Sequence, residues 1–135
     1  MRIFLSYRFT GEDLKELAVI LENIVSSLKK AGHEVFCSFW KGKFFDKNKF
    51  TARQILEYAL GELENCDAIL AFVKSKKKSE GMLLEIGYAL ARKKLFILAI
   101  KEGINTTFLK QLADQIIEFK TLEELYKKLK KFRIE

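Results

Sequence analysis

The sequence predicts an α/β fold, a three-layer sandwich around a five-stranded parallel sheet of order 2-1-3-4-5. Three observations predict it. Strand-like and helix-periodic segments alternate along the chain and are joined by short loops. Ala68–Val73 and Leu95–Ile100 are unbroken apolar runs of six residues each, the pattern of strands covered on both faces. The 135-residue chain, 49% hydrophobic, suits one domain over residues 1–135 with a full core.

Each element has a local reason. Arg2–Tyr7 is β-rich and ends in a loop. Thr10 and Asp13 form a capping-box-like start, after which Leu14, Leu17, Ala18, Leu21, Ile24, Val25 and Leu28 keep helical spacing until Gly32. His33–Phe39 reads as the second strand, and Trp40 to Lys49 as a loop rich in Lys, Phe and Gly. A helix over about Thr51–Asn65 leads into strand Ala68–Lys74. The lysine loop Ser75–Ser79 opens a helix from about Gly81 to Lys93, and Leu95–Ile100 is the fourth strand. A short helix near Thr107–Ala113 precedes a fifth strand, Gln115–Phe119, and Thr121 with Glu124 caps the closing helix.

The charge balance, 25 Lys+Arg against 18 Asp+Glu, leaves +7. Much of the surplus lies on the closing helix, where Leu122, Leu125, Leu129 and Phe132 face a core and the lysines form the solvated back. No nucleic-acid-binding motif accompanies it, so an anionic small molecule is the expected partner rather than a polymer. Six-residue apolar runs are far below the roughly 20 residues of a membrane span, and no membrane partner is expected. Cys37 and Cys66 are too few for a disulfide framework or a metal cage, and a cytoplasmic protein with reduced thiols is expected. No metal and no cofactor are expected.

In sheets of this order, ligands sit beyond the carboxyl ends of the strands, between strands one and three. The loops there are Ser6–Gly11, Trp40–Lys49, Ser75–Gly81 and Lys101–Thr107. There is no Walker loop, GxGxxG or GxSxG, and the only histidine is His33, at the opposite edge. From Gly81 to Ala91 the one charged side chain is Glu85, on the face of Gly81, Tyr88, Ala89 and Arg92. It is either a site carboxylate or the wet side of a helix, paired with Arg92. Gly87 costs a helix interior about 1 kcal/mol relative to Ala, which suggests a close backbone approach there. Ser79 is the expected N-cap, and a helix N-terminus beside Lys76–Lys78 suits phosphate. Arg8 offers a bidentate phosphate contact, and Phe9 or Trp40 a stacking surface for a base.

Ser79-x-Gly81-x-x-x-Glu85-Ile86-Gly87-Tyr88-Ala89 resembles the signature of the nucleoside 2-deoxyribosyltransferase family, and so does the layout, with Asn65-Cys66-Asp67 entering strand three. The resemblance covers essentially the whole chain and implies a flavodoxin-like fold. It implies that Glu85 is the nucleophile at C1′ of the deoxyribose, forming a glycosyl-enzyme intermediate resolved by a base or by water. Serine six residues before that glutamate, here Ser79, marks the branch that hydrolyses 2′-deoxynucleoside 5′-monophosphates, and Ser6-x-Arg8 matches the same branch. Ser6, Arg8, Ser79 and Gly81 would then hold phosphate or sugar. A hydroxyl from a neighbouring subunit, near Thr106 or Thr107, implies a homodimer. The chain departs from the family in three places. Ala59 stands where the family's general-acid aspartate is counted, Ile3 or Phe4 replaces a strand-one tyrosine, and the first loop has one glycine, Gly11. The opening Phe4-Leu5-Ser6-Tyr7-Arg8 with Gly11-Glu12-Asp13 also resembles Toll/interleukin-receptor domains, implying an alternative NAD glycohydrolase. A non-catalytic nucleotide-binding module is the remaining alternative.

Overall fold

The computed structural model describes residues 1–133. Strands β1 (Arg2–Ser6), β2 (Glu34–Phe36), β3 (Ala68–Val73), β4 (Leu95–Lys101) and β5 (Gln115–Phe119) form an all-parallel sheet of order β2-β1-β3-β4-β5. Helices α1 (Leu14–Lys30) and α6 (Leu122–Lys130) cover one face, packing Leu17, Leu21, Ile24, Leu125 and Leu129 on Ile3, Leu5 and Leu70. Helices α3 (Ala52–Glu64) and α4 (Glu80–Ala91) cover the other, where Leu63, Met82, Ile86 and Ala89 meet Phe4, Ile69 and Phe96. The expected flavodoxin-like sandwich is therefore the fold.

The two-residue period of β1 sorts its side chains between these layers. Ile3 and Leu5 point to α1 and α6, whereas Phe4 and Ser6 point to α3 and α4. Ser6 stands at the carboxyl end of β1, level with Ala71 of β3. A hydroxyl and a methyl side by side leave the sheet surface low there, and α4 sets a longer side chain above them.

Three expectations about elements are corrected. The N-cap of α1 is Asp13, whose carboxylate accepts from Lys15 and Glu16 backbone N–H groups at 3.0 and 3.1 Å, and not Thr10. The second strand is only Glu34–Phe36, because Cys37 leads at once into a 3-10 turn at Ser38–Lys41. The segment expected as a loop folds into α2 (Gly42–Lys47), since Phe45 buries against Phe50 and Tyr58 while the more exposed Phe44 packs its ring on the same two, at 5.4–6.3 Å ring separations. The closing helix is as expected, with Leu125, Leu129 and Phe132 buried beneath its lysines.

Candidate active site

The site begins with the cap of α4. The Ser79 side chain accepts from the Met82 N–H at 3.2 Å, which fixes the start of the helix beyond the end of β3. Glu85 follows six residues on, and its half-buried carboxylate turns toward the sheet. Ser6 Oγ, itself 1% exposed, donates to Glu85 Oε1 at 2.6 Å. No described residue hydrogen-bonds Oε2, and that oxygen is not sealed from solvent. Burial pushes the Glu85 pKa up to about 7, with the Ser6 hydrogen bond pulling the other way. The alternative of a solvated pair with Arg92 is excluded. Arg92 lies against Glu64 at 3.4 Å and over the Tyr88 ring at 5.1 Å.

Tyr7 and Cys37 flank the carboxylate. The Tyr7 hydroxyl and Ser38 Oγ are 3.0 Å apart, and burial holds the phenol well above its usual range, with the Glu85 charge adding to the effect. Burial likewise pushes the Cys37 thiol up to about 12, so both groups are neutral at physiological pH. Beyond them the rings of Tyr7, Phe39 and Phe9 follow one another edge to face at 6.1 and 6.3 Å. Phe9 is half exposed at the rim. Cys37 was not singled out in the sequence, because the segment reads as a strand whose side chains alternate into the core.

The basic side of the crevice is occupied by the protein's own carboxylate. Glu12, 7% exposed, pairs with Lys74 Nζ at 2.9 Å and with Arg8, and these contacts hold its pKa below the usual carboxylate range. Arg8 Nε also donates to the Lys78 carbonyl at 3.3 Å. Gly11, at φ +77°, turns the first loop back so that Glu12 reaches Arg8, and a Cβ there would lie 3.4 Å from the guanidinium. The cavity that Arg8, Glu12, Lys74, Ser75, Lys77 and Ser79 line is only about 20 Å³, room for about one water. A phosphate enters it only with a shift of Glu12 or of the lysine loop.

Gly81 is exposed in the first turn of α4, where a Cβ would meet nothing nearer than Ser79 Oγ at 4.0 Å. Thr107 is exposed beyond β4, while the neighbouring Thr106 hydroxyl accepts from the Lys110 N–H of α5 (Leu109–Leu112) at 3.2 Å. Trp40, half exposed, lies along α1 and lines a groove of about 410 Å³ with Glu22, Val25, Ser26, Lys29 and Lys30. Ala89 does not share the open face of Glu85, because it is fully buried against the sheet. Nothing within the chain comes within 4 Å of a Cβ at Gly87, so no close approach accounts for that glycine. Ala59 is 4% exposed in the core under α3.

The model of the nucleoside 2-deoxyribosyltransferase family matches residues 7–120. The chain belongs to this family. The solved CMP N-glycosidase of Clostridium botulinum is 23% identical with a TM-score of 0.71, the match covering 96% of this chain and 97% of that one. A conserved protein of Enterococcus faecalis is 15% identical with a TM-score of 0.70, over 96% and 97% of the two chains. The 2-deoxyribosyltransferase of Bacillus psychrosaccharolyticus is 15% identical with a TM-score of 0.66, over 93% and 90%. At these identities the likeness establishes a shared fold. No curated protein sequence matches the chain. Family membership supports enzymatic chemistry at an N-glycosidic bond, and no helix among the described residues is long and apolar enough to cross a membrane.

Proposed function

We propose that the protein is an N-glycosidase that cleaves the base–sugar bond of 2′-deoxynucleoside 5′-monophosphates, or transfers the sugar, with Glu85 as nucleophile. The observation that carries this reading is the buried Ser6–Glu85 hydrogen bond, placed where such sheets bind ligands and beside the capped, lysine-flanked start of α4. Ser6 holds Oε1 and so aims the carboxylate, leaving Oε2 to meet C1′. As the base departs, positive charge grows on the sugar, and a carboxylate in this poorly solvated position stabilises it and then bonds to it. Water, or a second base, attacks C1′ and frees Glu85.

The phosphate would sit on the amides of Ser79 to Gly81, where the helix dipole favours an anion, with Arg8 and the lysine loop around it. Ser79 adds a hydroxyl and no charge. The similar fold of the Clostridium botulinum CMP N-glycosidase supports a nucleoside monophosphate as substrate. Phe9 and Trp40, each edge to face with Phe39 at 6.3 and 5.4 Å, offer ring faces for the base. Thr107 would act across a homodimer interface. Support for it comes from α4, which leaves Leu83 and Leu84 45% and 55% exposed around an open Gly87.

The test is a chromatographic assay of base release from deoxynucleoside 5′-monophosphates, free deoxynucleosides and NAD. Release from the monophosphates supports the reading. Cleavage of NAD alone overturns it in favour of a Toll/interleukin-receptor-like activity, and binding without cleavage leaves a nucleotide-binding module.

A further inference from the structure

The first loop already sets a carboxylate beside the place proposed for the phosphate. Glu12, with a side chain only 7% exposed, lies between the Arg8 guanidinium and Lys74 Nζ, the latter at 2.9 Å. The two cations come from different elements, Arg8 from the loop after β1 and Lys74 from the end of β3. They line one small cavity together with Ser75, Lys77 and Ser79, the cap of α4. Arg8 Nε also donates to the Lys78 carbonyl at 3.3 Å, a contact that does not depend on Glu12. The Glu12 backbone is fixed separately. Its N–H donates to the Phe9 carbonyl at 3.2 Å, and the next residue, Asp13, caps α1. The Glu12 carboxylate can therefore swing out about its own side-chain bonds while turn and cap stay intact. Charge decides whether a phosphate joins this carboxylate or replaces it. A phosphomonoester carries about −1.5 to −2 at neutral pH. Added beside Glu12, it would meet a like charge in a space with room for about one water. With Glu12 swung out, Arg8 and Lys74 together balance it.

We infer that Glu12 is a built-in competitor for the substrate phosphate. Its carboxylate occupies the anion position between Arg8 and Lys74, and a phosphomonoester binds by displacing it. This rests on the phosphate placement proposed above and names the residue that sets how strongly the site takes that group. In the empty site Glu12 keeps two cations from facing each other without a counter-charge, which is costly in a partly buried cluster. In the loaded site the phosphate takes over that task, and the two contacts Glu12 gives up are subtracted from the affinity. Removing the carboxylate should therefore tighten phosphate binding.

The experiment is calorimetric titration of inorganic phosphate into wild type, Glu12→Gln and Glu80→Gln. Glu80 is an exposed acid in the first turn of α4, so E80Q removes a charge nearby without freeing Arg8 or Lys74. E12Q is expected to bind phosphate at least about tenfold more tightly than wild type, the scale of one charge-assisted contact. E80Q is expected to stay within about twofold, as for other exposed charges. Unchanged or weaker binding by E12Q overturns the inference, because Glu12 then props Arg8 for the ligand instead of competing with it. Equal tightening by E80Q overturns it as well, since only the general field would matter. Thermal melts cover a loss of stability in E12Q. Phosphate should raise the melting temperature of E12Q more than that of wild type. An equal or smaller rise, or a chain that stays unfolded in phosphate, counts against the inference. Base release from deoxynucleoside monophosphates is scored separately. Its absence alongside tighter phosphate binding overturns the N-glycosidase reading alone, and its presence without tightening overturns the competition alone.

Discussion

At the scale of single residues, Ser6 decides how the Glu85 carboxylate is held and hydrated. A carboxylate beside apolar helix and sheet surface loses hydration and favours its neutral form, and one short hydrogen bond from a buried hydroxyl recovers part of that loss. The result is a group that titrates near neutrality, the range in which nucleophile activation is poised. The sign for stability follows. Glu85 is favoured neutral in the fold, so its contribution is full below the ordinary carboxylate pKa and is lost as pH rises through about 7. Replacing Glu85 by Gln removes that loss and keeps an acceptor for Ser6. Thermal melts should show E85Q about as stable as wild type near pH 4 and more stable by roughly 1–3 kcal/mol near pH 8. Equal stability at both pH values would mean that the carboxylate is well solvated.

At the scale of elements, α4 joins the site's two halves. Its Ser79 cap fixes where the amides point, and its second turn sets Glu85 over Ser6. Aspartate caps a helix as well as serine does, so Ser79→Asp should leave the melting temperature nearly unchanged. It also sets a negative charge where the phosphate is proposed to bind. KM for a deoxynucleoside monophosphate should rise tenfold or more, with little change for the free deoxynucleoside. An unchanged KM would move the phosphate away from α4. The Ser79 cap and the isolation of Glu85 were legible in the sequence because both depend on spacing within one helix. The Arg8–Glu12–Lys74 cluster was not, since it depends on the turn at Gly11 and on Lys74 arriving from β3. Nor was α2, whose helix is held by aromatic packing among Phe44, Phe45, Phe50 and Tyr58 rather than by a clear apolar period.

At the scale of the molecule, strand order and layers were readable because apolar runs and alternating elements report burial directly, as Ala68–Val73 and Leu95–Lys101 do at the centre of the sheet. Side-chain direction in irregular segments was less readable, and Trp40 is the example, since nothing in its neighbours' spacing sends it along α1. The exposed Leu83, Leu84 and Gly87 of α4 lie on the same side of the sheet as α5, with exposed Phe108 and Leu112. Sedimentation should give a dimer, and Leu84→Glu should yield monomers that keep the fold but lose activity. A wild-type monomer with full activity would remove Thr107 from the site.

The measurement that bears most directly on the account is rapid acid quenching of the protein during turnover of a deoxynucleoside monophosphate, followed by peptide mass spectrometry. A deoxyribosyl phosphate adduct on Glu85, absent from E85Q together with base release, is the predicted result. Base release at the wild-type rate by E85Q, with no adduct on the peptide, would contradict it.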